Sequence, residues 1–209
     1  MENSLESFFE QYAKYIGLHE KRPTSVTDFC DFAEASEEAF YEHFASLPAL
    51  EKALWLHTFV ETYLTITRDE VYENYTVREK LLSFYYTWLE FLKSYEAYIK
   101  HACQHTFPLD FHPAYWADFE NSFRDYASQL LEEARVTEEF ANRMVIQNAY
   151  PTILWLQAKS ILRYWVKDKT ENAEKTDAFI EKNVNFVCDA FSRSFLDSAF
   201  EYFRFIFQK

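Results

Sequence analysis

One glycine in 209 residues leaves almost no position for tight turns or for the close backbone approach that a phosphate-cradling loop needs. Five prolines add little punctuation. There is no glycine-rich loop, no nucleophile elbow, no H-E-x-x-H run and no paired Glu-x-x-His pattern. The expectation is therefore a protein that is not an enzyme and carries no cofactor. Cysteine is also scarce. Cys30, Cys103 and Cys188 are odd in number, far apart and set among apolar residues, which suits reduced, buried thiols rather than a disulfide framework. Basic residues are outnumbered, 21 Lys and Arg against 34 Asp and Glu, for a formal net charge of −13. That sign disfavours non-specific association with nucleic acid or anionic membrane. The start, MENSLESFFEQY, lacks the basic flank and apolar run of a signal peptide, and no run is long enough to span a bilayer. The expected location is cytoplasmic.

What the chain has in quantity is helix formers and rings. Glu, Leu, Ala and Lys are plentiful, and aromatics make up 20% of the residues, with 22 Phe and 15 Tyr. No strand alternation or internal repeat competes with the helical period, so the fold is expected to be all-α with about nine helices. Ser4 caps a first helix bearing Leu5, Phe8, Phe9, Tyr12, Tyr15 and Ile16 on one face, ended by Gly17 and Pro23. Thr24 or Ser25 opens a short second helix and Ser36 a third, while Ser46-Leu47-Pro48 opens a long fourth. A fifth is expected from Thr76 to about Cys103. Another begins near Ala114, and one begins at Thr137, kinked or divided by Pro151. A last long helix runs from about Ala173 to Phe207.

The stretch from Thr24 to Leu54 places Val26, Phe29, Ala33, Phe40, Phe44, Leu50 and Leu54 where a tri-helical unit needs its core. The pattern Phe40-Tyr41-x-His43-Phe44-x-Ser46-x-x-x-Leu50 resembles the helix-turn-helix of the TetR family of transcriptional regulators. Lys175 to Lys182 also resembles the start of the last helix in some members. The resemblance implies a helix-turn-helix domain over residues 1–46 and a larger helical ligand-binding and dimerisation domain over 47–209. It implies that Ser36, Glu37, Glu38, Tyr41, His43 and Leu47 occupy the DNA-facing positions. The chemistry there departs from the family. Glu34 stands where the turn usually has Gly, Glu37 where Lys is common, Glu38 where a small residue is usual, and Leu47 where a Lys meets phosphate. Asp28, Asp31, Glu34, Glu37, Glu38 and Glu42 are answered by no Lys or Arg before Lys52, and Lys14, Lys21 and Arg22 at the edge are too few. Each missing phosphate contact removes a counterion-release contribution, so DNA binding is doubtful.

In a body of this type the ligand pocket candidates are Tyr85, Trp88, Trp116, Phe119, Phe123, Met144, Gln147, Asn148 and Trp155, suited to an apolar or aromatic small molecule or a lipid. The same rings also suit plain core packing. Dimer interface candidates are Trp165, Phe179, Ile180, Val184, Val187, Phe191, Phe195 and Tyr202 on the last two helices, a stripe too wide for one neighbour. His101, Cys103, His105 and His112 lie close in sequence but match no zinc spacing, so no metal is expected. The leading functional expectation is a small-molecule-responsive regulator with weak or lost DNA binding. The alternatives are a lipid or quinone carrier derived from this fold, similar to the lipid-binding family of ubiquinone biosynthesis, and an acidic protein-interaction module.

Overall fold

The computed structural model describes residues 4–103, 112–140 and 149–192. Among them the chain forms nine α-helices, and its only bridge-type pairing joins Phe140 to Ser192. Two compact units emerge. One comprises Met1–Thr65 with Thr87–Ser122, the other Ile66–Tyr86 with Phe123–Lys209.

The first unit starts with α1 (Leu5–His19), capped by Ser4, whose Oγ accepts from Ser7 N–H at 3.3 Å. Gly17 does not end this helix. It lies inside it, where a Cβ would come 3.1 Å from the Cβ of Ala97 on α6 (Glu96–Cys103), so its value is close packing rather than termination. The left-handed cap is Glu20, at φ 52. α2 (Val26–Ala33) and α3 (Glu37–His43) each begin on a serine: Ser25 accepts from Asp28 N–H and Ser36 from Ala39 N–H. Ser46 does the same for α4 (Leu47–Thr67), accepting from Ala49 N–H at 3.3 Å. Phe8, Phe29, Phe40 and Phe44 are buried together, with Phe8 edge-on to Phe40 at 5.8 Å and Phe40 5.4 Å from Phe44. Those rings hold the three short helices as one body.

The long fifth helix expected from periodicity is divided. α5 (Val77–Ser94) closes with a tightened turn in which Tyr95 N–H reaches the Leu92 carbonyl at 3.0 Å, and α6 follows. The turn lets Tyr95 bury its ring edge-on to Phe9, a long-range contact that helical periodicity does not record. A 3-10 turn, Ala114–Trp116, leads into α7 (Ala117–Val136).

In the second unit Thr137 closes α7 instead of opening a helix. Its N–H and Oγ1 both return to the Glu133 carbonyl, at 2.9 and 3.1 Å. Pro151 falls in the first turn of α8 (Tyr150–Lys167), where its missing N–H costs nothing, and residues 141–148, from which the expected kink or division would set it apart, lie outside the described residues. α9 (Glu174–Phe191) follows a 3-10 turn, Glu171–Ala173, in which Asn172 and Ala173 take φ of 54 and 60. Asp168 holds that turn by accepting from the N–H and Oγ1 of both Thr170 and Thr176, at 2.6–2.9 Å. Partial burial pushes its carboxyl up, but these four bonds outweigh it and keep the group well below the usual range. α9 ends at Phe191, where Ser192 turns extended, and the remainder of the expected last helix lies outside the described residues.

Candidate functional site

Three surfaces bear on function, beginning with α2, α3 and the start of α4, which carry the expected DNA-facing positions and with α1 are called the head below. Ser36 is engaged as the cap of α3, and Glu37 accepts from Thr27 Oγ1 at 2.6 Å. Glu38 and Glu42 are exposed, Tyr41 is 52% exposed with its ring against Phe40, and His43 lies against Phe8. Leu47 opens α4 half-buried. Asp28 is engaged differently from its acidic neighbours: the backbone N–H of Thr24, the Tyr15 hydroxyl and Thr24 Oγ1 all donate to it, and these bonds lower its pKa.

The same unit holds a buried carboxylate. Glu51 on α4 is 4% exposed and accepts from Tyr12 OH at 2.6 Å, from Arg22 Nε at 2.5 Å and from Arg22 Nη2 at 3.1 Å. The guanidinium also lies 5.9 Å from the centre of the Tyr115 ring. Burial and the Glu51 charge push the Tyr12 phenol far up, and hydrogen bonding to Glu51 does the same to Arg22. One of the three basic groups near the head is thus committed to an internal pair.

The predicted pocket residues fall into two clusters, one per unit. In the first, Trp88 stacks on Phe119 at 5.2 Å, Trp55 lies 5.9 Å from Phe119 and 5.5 Å from Trp116, and Trp88 Nε1 donates to Thr58 Oγ1 at 3.3 Å. In the second, Phe123 lies 6.4 Å from Tyr85 and 5.7 Å from Trp155, and Tyr85 OH donates to Gln157 Oε1 at 3.0 Å. All six predicted rings are buried against other rings, as core side chains are. Met144, Gln147 and Asn148 lie outside the described residues.

A pocket of about 530 Å³ opens elsewhere on the second unit, lined by Glu73, Tyr75, Lys80, Gln129, Glu132, Glu133, Val136, Thr137 and Glu139. Lys80, 3% exposed, pairs with Glu133 at 2.6 Å and lies 5.0 Å from the Tyr72 ring centre. Tyr72 and Tyr126 share a hydroxyl–hydroxyl bond of 3.0 Å behind it. Glu139 accepts from Val77 N–H at 3.1 Å and from Thr137 Oγ1 at 3.0 Å, and Glu132 pairs with Arg135. Sequence reasoning missed this site because its residues come from a turn, one helix start and one helix end. One signal was there. Lys80 interrupts the apolar stripe Val77, Leu81, Phe84, Trp88, and a lysine in a buried stripe requires a partner.

The third surface is α8 with α9. Trp165, Ile180, Val184, Val187 and Phe191 are buried within the single chain, because α9 packs on its own unit, so they do not form an exposed stripe. Among the described residues of these helices Phe186 is 73% exposed, and the exposed Tyr164 stacks on the half-buried Phe179 at 4.3 Å. Gln157 Nε2 donates to the Asn183 carbonyl at 3.2 Å and Asn183 Nδ2 to Ser160 Oγ at 3.4 Å, joining the two helices. Phe195 and Tyr202 lie outside the described residues. Among the described residues no group of three or more His, Cys, Asp or Glu is placed to hold a metal, and His112 pairs with Glu120 at 3.0 Å. No described helix is long and apolar enough to cross a membrane.

Capped short helices followed by a helical body define an all-α, TetR-like fold. Residues 80–206 match the family model described as Tetracyclin repressor-like, C-terminal domain. That span is more than half of the chain, and the chain belongs to the tetracyclin repressor-like family. A search of curated proteins gave no match.

Proposed function

We propose that this protein is a small-molecule-responsive regulator of the family, with an N-terminal helix-turn-helix over residues 1–46, a body over 47–209, and weak DNA binding by its acidic head. The observation that carries the reading is the exposed face of α3. Glu38, Tyr41, Glu42 and His43 stand outward on a helix whose cap and core are intact, and neither α2 nor α3 contains a Lys or Arg. Tyr41 and His43 are side chains able to hydrogen-bond phosphate, while the carboxylates oppose its approach. Arg22, the arginine nearest to α3 in the chain, is held by Glu51.

Two copies pair through α8 and α9 in this proposal, with Phe186, Tyr164 and Phe179 as the apolar contact in place of the buried stripe. Replacing Phe186 by Glu then converts a dimer to a monomer in light scattering. An unchanged dimer removes that interface. Fluorescence anisotropy against genomic fragments, titrated with salt, tests the regulator itself. Sequence-selective binding at low salt, with a shallow dependence on salt, is expected. Absence of selective binding at the lowest salt removes the reading.

A further inference from the structure

We propose that the pocket on the second unit binds a protonated organic amine with an apolar or aromatic body. It deepens the effector reading above, and the binding itself requires no DNA.

The cavity of about 530 Å³ has room for a small molecule of one or two rings. Four carboxylates line it, from Glu73, Glu132, Glu133 and Glu139, of which Glu133 is paired with Lys80 in the wall and Glu132 with Arg135 beside it, leaving Glu73 and Glu139 in excess. The Lys80 ammonium is buried in the wall and already held by Glu133, and the Arg135 guanidinium is likewise held by Glu132, so an entering anion has to compete with a carboxylate for either cation. Glu73 is exposed, and no cation pairs with it among the described residues. Glu139 is turned by two neutral donors, Val77 N–H and Thr137 Oγ1, and the Arg78 guanidinium near enough to feel its charge is bonded to Asp189 instead.

The lining is not uniformly polar. Val136 is 74% exposed and Tyr75 presents a half-buried ring, so an apolar surface stands beside the charges. That combination suits a ligand with a charged end and an apolar end. A bare metal ion fits less well, because no three of the described acidic groups converge closely enough to share one. The Lys80 ammonium over Tyr72 shows the local pairing of cation, ring and carboxylate that an amine would repeat beside Glu73 and Tyr75.

A charge series on one ring system tests this: tryptamine, indole-3-acetamide and indole-3-acetate, titrated by calorimetry into the full chain at low salt. Tryptamine is expected to bind at least about tenfold more tightly than the neutral amide, and the acetate more weakly still. The double variant Glu73→Gln, Glu132→Gln changes two exposed side chains and is expected to lose about tenfold in tryptamine affinity at an unchanged unfolding temperature. Amide shifts in NMR should gather at Tyr75, Val136 and Thr137. Equal binding of amine and acetate, an unaffected double variant, or no tryptamine binding at millimolar concentration by the folded protein would overturn the assignment. Failure of the DNA titration would remove the regulator and leave this result standing.

Discussion

Removing Arg22 isolates the buried charge of Glu51 and gives a quantitative test of how the head is held on α4. In Arg22→Ala the carboxylate, 4% exposed, keeps the Tyr12 hydroxyl at 2.6 Å and loses both guanidinium bonds. At about 4 Å between charge centres and an effective dielectric of about 20, the lost attraction is about 4 kcal/mol. Arg22 is 47% exposed, so water recovers roughly half of that, leaving about 2 kcal/mol. Loss of the guanidinium above the Tyr115 ring adds about 0.5 kcal/mol. Urea unfolding should therefore show a loss of about 2–3 kcal/mol, equivalent to a fall of about 5–10 °C in Tm for a chain of this size. Placing Glu51→Gln in the same chain removes the stranded charge while preserving an acceptor for Tyr12, and should restore at least half of the loss. A cost for Arg22→Ala below about 0.5 kcal/mol, or no recovery in the double variant, would refute the reasoning.

Raising the pH should unfold the protein cooperatively. Burial, with Glu10, Glu6 and Glu61 nearby, pushes Tyr95 up to about 12, and burial pushes Tyr85, Tyr98 and Tyr126 well above their usual value. The folded state holds these phenolic protons more tightly than the unfolded chain, so stability is full below about pH 10 and falls as the pH rises beyond it. Tyrosinate absorbance should accordingly appear together with loss of helical circular dichroism. Gly17→Ile, by contrast, forces a branched side chain into a gap where a Cβ alone approaches Ala97 to 3.1 Å. A loss of about 1–3 kcal/mol in thermal unfolding is expected. Phe40→Ala empties the centre of the ring cluster in the head and should cost about 3–5 kcal/mol by urea titration. Lys80→Met removes a buried ammonium of matched shape and should leave stability within about 1 kcal/mol, whereas Glu133→Ala, which strands that ammonium, should cost more in the same assay.

Much of the head was legible residue by residue. Ser4, Ser25, Ser36 and Ser46 each cap the helix that their position predicts, because a serine hydroxyl before an amphipathic run can satisfy an orphan N–H wherever the run begins. The rings Phe8, Phe29, Phe40 and Phe44 were marked by spacing, since helical period alone puts them on one side. Charge was legible for the same reason: no fold can add a Lys to α2 or α3, and the outward carboxylates of α3 follow directly from which positions its core consumes.

What the sequence left open was every feature that depends on which elements meet. Gly17 reads as a terminator until Ala97 is placed opposite it, and Thr137 reads as a cap until its hydroxyl turns back to Glu133. The last helices carry an apolar stripe in either case. Only the packing of α9 on its own unit decides that Ile180 and Val184 are interior while Phe186 faces out. The pocket is a tertiary product in the same sense. Glu73 and Lys80 lie far from Glu139 in the chain, and periodicity registers neighbours within one helix, whereas a concave site is made by the ends of several.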